Sequence, residues 1–318
     1  MKRTLILLLA SLLAATSFAQ VKKATAPERQ GWEEYNADLN LVYPPLYGDV
    51  ESVVYAKYEA KDYFGEIVKE NLDSKAVFKF NKRGDVVEVA RYDSDGSLRY
   101  KYTYKYDSAG NVIERADYDS DGSLSWKVIY KYDSAGNMIE EADYDSDGSL
   151  YYKTIYKYDS AGNKIEEAFY YYGSLDVKYT WKYDSAGNKI EVAEYYSDGP
   201  PYSKCTYKYD SAGNLIEEPI FSGADGSLDG KSIYKYDSAG NRIEEASYDS
   251  ERSWKCTWKY DSAGNMIEKA WYYDSDGSLD YKDIYKYDSK GNVVEEIWYE
   301  KEIMIPRYII EYKITYRK

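Results

Sequence analysis

From Leu124 to Asp133 the chain reads Leu-Ser-Trp-Lys-Val-Ile-Tyr-Lys-Tyr-Asp, with apolar and polar positions alternating at a period of two. Side chains of a strand point alternately to opposite faces, so Leu124, Trp126, Val128, Tyr130 and Tyr132 share one face and Lys127, Ile129, Lys131 and Asp133 the other. Ser134-Ala135-Gly136-Asn137 follows as a short turn in which glycine can take positive φ. Met138 to Tyr144 then returns as a second strand, and Asp145-Ser146-Asp147-Gly148-Ser149 turns the chain into its next copy. A helix is excluded because the apolar spacing is two rather than 3.6, and β-branched and aromatic residues dominate between the glycine turns.

The segment Tyr-Lys-Tyr-Asp-Ser-Ala-Gly-Asn recurs with its glycine at 110, 136, 162, 187, 213, 240 and 264, and Gly84 and Gly291 mark degenerate copies at either end. Nine units of about 26 residues, each a hairpin, predict an all-β antiparallel meander. Strand twist should curl so long a sheet into a spiral, a superhelix or a partly single-layer sheet. The repeats occupy residues 77–298. Residues 20–76 diverge from them, with Pro44-Pro45 leading into a strand-like stretch, and read as an N-terminal cap over an open sheet edge. Residues 299–318 read as a closing strand, with Pro306 and terminal basic residues guarding against edge pairing. An isoleucine recurs three residues after each repeat glycine, at 113, 139, 165, 190, 216, 243 and 267, and is expected to add to the core; its facing stays open because a bulge at the turn can shift it by one residue.

At the N-terminus, Lys2 and Arg3 precede an apolar run from Leu5 to Ala15 and a Ser17-Phe18-Ala19 boundary, the pattern of a signal peptide over residues 1–19. The run is too short to span a bilayer, and no later segment comes closer, so no membrane span is expected. The protein is therefore expected to be exported to the periplasm, cell surface or extracellular space. Loss of residues 1–19 removes two basic residues, Lys2 and Arg3, and takes the net charge from −14 to −16. Such an acidic chain repels phosphate backbones, which argues against nucleic acid as a partner. The chain holds 42 Tyr against 6 Phe and no His. Tyr suits half-wet pleated surfaces, and the absence of His removes His-based triads and His metal ligands, so no enzyme is expected.

The Tyr-x-Tyr-Asp-x-x-Gly-Asn pattern, carried in one unit by Tyr130, Tyr132, Asp133, Gly136 and Asn137, resembles the YD repeat of the Rhs family of bacterial surface and toxin proteins and of the related teneurins. The resemblance covers about residues 77–298 and implies a long β-strand spiral. In Rhs proteins and teneurins that spiral forms a hollow shell. Here the chain lacks a recognisable Rhs core motif, and a closed cocoon is not expected.

Three sets of residues are candidates for function. Tyr104, Tyr130, Tyr156, Trp181, Tyr207, Tyr234, Trp258 and Tyr285 occupy one slot of successive units and would line up at ~10 Å intervals as a ligand-binding stripe for a glycan or an envelope protein. Asp117, Asp119 and Asp121, repeated as Asp143, Asp145 and Asp147, match the first half of a calcium loop but lack its twelfth-position Glu, so Ca2+ is the one cofactor in view, set against plain turn chemistry. Cys205 and Cys256 share a slot two repeats apart, ~19 Å along the sheet, too far for a disulfide, and are expected as free thiols. The function expected is an exported scaffold or adhesion-type module that binds a glycan or protein through the repeated Tyr-rich surface. The alternatives are a purely structural envelope protein and a calcium-stabilised surface protein.

Overall fold

The computed structural model describes residues 46–196, 199–222, 227–249, 253–273, 277–300 and 305–317. The expected signal peptide lies outside them. The first strands are β1 (Val50–Tyr63), β2 (Glu66–Phe80), β3 (Val86–Asp93), β4 (Leu98–Tyr106), β5 (Val112–Asp119), β6 (Leu124–Tyr132) and β7 (Met138–Asp145). They continue through β8 (Leu150–Tyr158), β9 (Lys164–Tyr171), β10 (Ser174–Tyr183), β11 (Lys189–Tyr195), β12 (Ser203–Thr206), β13 (Lys208–Tyr209) and β14 (Leu215–Ser222). The series ends with β15 (Ser227–Tyr236), β16 (Arg242–Asp249), β17 (Ser253–Tyr260), β18 (Met266–Tyr273), β19 (Ser278–Tyr287), β20 (Val293–Glu300) and β21 (Ile305–Tyr316).

Each strand pairs antiparallel with the next, β12 and β13 acting as one interrupted strand against β14. The last strand then pairs with the first: β21 runs beside β1 from Val50–Tyr316 to Glu59–Tyr308. The sheet therefore closes on itself. The expected meander is present, but where the sequence suggests an open edge, the two edges satisfy each other's N–H and C=O groups. Residues 50–76 are accordingly wall, not a cap, and the C-terminal strand joins an edge instead of guarding one.

Closure creates two rims. At the constant rim, Asp133 N–H donates to Asn137 O at 2.9 Å and Gly136 N–H to Asp133 O at 3.1 Å, with Gly136 at φ 88°. The Asp133 carboxylate takes the N–H of Ala135 and of Asn137 on Oδ1 and the Asn137 side-chain amide on Oδ2, each at 2.9 Å. This is why the motif needs Asp, Gly and Asn at those places: one carboxylate closes the turn, and only glycine takes that φ without strain. The turns at Asp107, Asp159, Asp184, Asp210, Asp237 and Asp261 repeat it. The second tyrosine of each motif ties one unit to the unit before, as Tyr132 O–H donates to Val112 O and Tyr158 O–H to Met138 O, both at 2.8 Å.

The outer face carries cross-strand ion pairs in register, including Lys105–Glu114, Lys131–Glu140, Lys157–Glu166 and Lys235–Glu244, all at 2.7 Å. Such exposed pairs contribute a few tenths of a kcal/mol each. The inner face holds the core, with Tyr55, Phe78, Val89, Tyr102, Tyr104, Val128, Tyr130, Tyr285, Ile310 and Tyr312 in one cluster that bridges the β1–β21 seam. The recurrent isoleucines are not part of it: Ile113, Ile139, Ile190, Ile243 and Ile267 are exposed, because a bulge opposite the second motif tyrosine displaces them, as between Lys105 and Tyr106.

Candidate functional site

The aromatic stripe points inward. Tyr104, Tyr130, Tyr156, Trp181, Tyr234, Trp258 and Tyr285 are 5–9% exposed, and Tyr207 is half-buried. Six stripe residues stand opposite the third residue of an Ile-Glu-x or Val-Glu-x triplet on the next strand: Tyr104 against Arg115, Tyr130 against Glu141, Tyr156 against Glu167, Tyr234 against Glu245, Trp258 against Lys269 and Tyr285 against Glu296. A strand alternates faces, so the first Glu of the triplet joins the outer ladder and the second is carried inside. Glu140 thus receives Lys131 at 2.7 Å and Lys153 at 2.8 Å outside, while Glu141 accepts the Tyr156 hydroxyl at 3.0 Å. Lys127 has no such carboxylate partner among the described residues and lies over the Tyr144 ring at 5.9 Å.

Several of the inward polar groups satisfy one another, while Trp181 Nε1 and Tyr207 Oη are buried without a hydrogen-bond partner among the described residues. Tyr234 O–H donates to Glu218 at 2.9 Å, Tyr179 O–H to Glu194 at 3.1 Å and Tyr312 O–H to Glu296 at 3.2 Å. Lys164 pairs with Glu167 at 2.6 Å and Arg242 with Glu245 at 3.0 Å, and both cations also lie 4.6 Å from a stripe ring, Trp181 and Trp258. Burial raises Asp283 to about 6 and Glu296 above the usual carboxylate range, the Asp283 carboxylate adding to the rise at Glu296. Lys189 is pushed down by burial and by neighbouring Lys164.

Cys205 and Cys256 are free and buried. Burial, and for Cys205 the nearby Glu218 carboxylate that its thiol meets at 3.2 Å, drive both thiols up, Cys256 to about 12. A thiol held protonated is a poor nucleophile, so this setting disarms both cysteines.

The Asp triads do not converge. Asp117 is engaged by the Arg115 guanidinium at 2.7 and 2.8 Å, and Asp143 accepts from the Trp126 indole at 3.0 Å. Asp121 takes the N–H and hydroxyl of Ser123, while Asp145 and Asp147 take backbone N–H groups of their own turn. Asp119 begins its turn, its N–H donating to Ser123 O at 3.0 Å. Among the described residues no three Cys, Asp or Glu side chains are grouped to hold a metal ion.

Comparison with solved structures finds distant similarities. It is 14% identical to a chain of TcdB2-TccC3 without its hypervariable C-terminal region, with a TM-score of 0.38, covering 79% of this chain and 15% of that one. It is 12% identical to a porin-like protein from Bacteroides uniformis, with a TM-score of 0.34, covering 84% of this chain and 96% of that one. No family model and no curated protein matches.

The rim opposite the constant one is variable. It carries Asp-x-Asp-Gly turns at Asp93, Asp119 and Asp145, but between β9 and β10 the turn is Tyr172-Gly173, flanked by the paired Tyr171 and Ser174. Between β1 and β2 it is Phe64-Gly65, flanked by Tyr63 and Glu66. Both aromatic residues sit at positive φ, 44° for Tyr172 and 55° for Phe64, where an L side chain is strained. Phe64 is fully exposed and Tyr172 is 63% exposed. The sequence held a signal for this: residues 169–173 read Phe-Tyr-Tyr-Tyr-Gly where the two preceding units read Asp-Tyr-Asp-Ser-Asp-Gly.

Proposed function

We propose that this protein is an exported, non-enzymatic scaffold of the bacterial cell envelope, whose repeats build a closed wall that holds surface turns toward a protein or glycan partner. The observation that supports this best is the inward burial of the stripe opposite its own Glu, Lys and Arg partners, which makes the stripe packing material and leaves partner contact to the outer surface and rims. The outer face supports a wall that stays in water: lysine–glutamate ladders occupy the surface that a membrane barrel would give to lipid.

The chain from Gln20 to Lys318 and its Tyr130→Phe and Trp258→Phe variants, compared on a glycan array and by thermal melting, test this reading. A lower Tm with an unchanged array profile is expected. Loss of a saturable glycan signal at an unchanged Tm would overturn it and return the stripe to the role of ligand surface.

A further inference from the structure

We infer that the variable rim is a docking face for a basic, Lys- or Arg-rich segment of a protein partner, gripped by the aromatic turns at Phe64 and Tyr172. The inference rests on the scaffold reading and adds to it a place and a chemistry.

Backbone strain on an exposed residue gains nothing for packing. An asparagine at either position would relax the turn, since Asn-Gly suits two residues at positive φ. Yet the molecule puts an exposed ring there twice, on the same rim. Pairing of β1 with β21 stops at Glu59 and that of β2 with β3 at Ser74, so the Phe64 hairpin stands beyond the wall. At the other turn the ring is not alone. Tyr172 and Tyr171 lie 4.5 Å apart between centroids, Tyr151 is 5.3 Å from Tyr172, and Tyr152 is 5.0 Å from Tyr171. Tyr152 and Tyr171 are themselves 38–39% exposed.

The chemistry of the occupant follows from how the molecule treats its other tyrosines. On the outer wall a lysine of the same chain covers the ring: Lys101 over Tyr118 at 4.9 Å, Lys178 over Tyr195 at 5.0 Å, Lys255 over Tyr272 at 4.7 Å and Lys282 over Tyr299 at 5.3 Å. Among the described residues no cation covers Phe64, Tyr151, Tyr152, Tyr171 or Tyr172. Carboxylates in other turns of the same rim are open as well. Asp95, Asp121 and Asp147 accept their turn hydrogen bonds on Oδ1, whereas Asp133 and its counterparts use both oxygens. A rim that carries uncovered rings and half-used carboxylates attracts cations. Like charge disfavours a second copy of this acidic chain, an anionic glycan or a phosphate backbone at the same face.

The test is titration of fluorescent deca-arginine into the full chain, into the Phe64→Asn/Tyr172→Asn double variant and into Tyr130→Phe, with cellohexaose as the uncharged comparison. The double variant is expected to keep or raise its Tm and to bind deca-arginine about fivefold more weakly, the effect of two exposed ring–cation contacts. Tyr130→Phe should bind like the parent. Equal deca-arginine affinity in parent and double variant, absence of binding to the parent, or ring-dependent binding of cellohexaose alone would each overturn the inference. Loss of binding in Tyr130→Phe at an unchanged Tm would instead overturn the scaffold reading.

Discussion

The two rims of this closed sheet are built from nearly the same turn, yet they are spent differently. At the constant rim the Asp carboxylate uses both oxygens inside its own turn, glycine sits at φ 79–102° from Gly110 to Gly264, and asparagine completes the closure. At the variable rim a similar Asp-Gly frame leaves one oxygen of Asp95, Asp121 and Asp147 outside the turn, and two turns place aromatic residues in strained backbone. A turn whose every polar group is occupied can only hold the wall. A turn with exposed rings and open acceptors has something left to offer a partner.

The sharpest way to break this contrast is at the last constant turn, where Asn292 is fully buried. Its Oδ1 accepts Tyr47 N–H at 2.5 Å and its amide meets the Tyr316 hydroxyl at 2.8 Å, joining the approach to β1 and the end of β21 at the seam. Asn292→Ala leaves buried groups unpaired and should cost about 1–3 kcal/mol in denaturant unfolding, with faster hydrogen exchange along β1 and β21. Next in size, Gly136→Ala places a Cβ at φ 88° and should cost about 1–2 kcal/mol, although nothing crowds the site. Tyr172→Asn should do the reverse, keeping stability or adding up to about 1 kcal/mol. If these two substitutions move Tm in the same direction, the rims do not differ in the way described.

Acid and base should separate the turns from the interior. Asn side-chain amides and turn N–H groups hold Asp107, Asp133, Asp159, Asp184 and Asp210 below the usual Asp range. Their contribution is complete above the unfolded Asp pKa, about 3.9, and is lost as pH falls through the depressed folded values. Burial does the opposite to Asp283, at about 6, and Glu296, at about 8. Their contribution is complete below about pH 4 and is lost as pH rises through those values. A melting profile from pH 2 to 9 should therefore peak between about 4 and 6, and a profile that rises steadily to pH 9 would contradict the interior assignment. The smallest effect expected is that of calcium: millimolar Ca2+ should leave Tm unmoved, because the Asp triads are divided among turn amides, Arg115 and Trp126.

Local pattern carried most of this fold. The alternation from Leu124 to Tyr132, the turn at Gly136 and the pairing of Lys131 with Glu140 all follow from neighbours in sequence. Closure does not, because Val50–Tyr63 and Ile305–Tyr316 lie outside the repeat and their match is a register between strands about 250 residues apart. The inward carboxylates were legible in principle: once Glu140 is assigned to the outer ladder, a period of two sends Glu141 inside. The stripe was legible as a row of rings but not in its facing, since periodicity gives two faces and does not say which one a closed wall encloses.

Hydrogen exchange of the full chain with and without bound deca-arginine tests most directly whether the variable rim receives a partner. Protection confined to residues 62–66 and 171–174 is the predicted result. Protection at Asp133–Asn137 and its counterparts, or spread evenly over both rims, would contradict it.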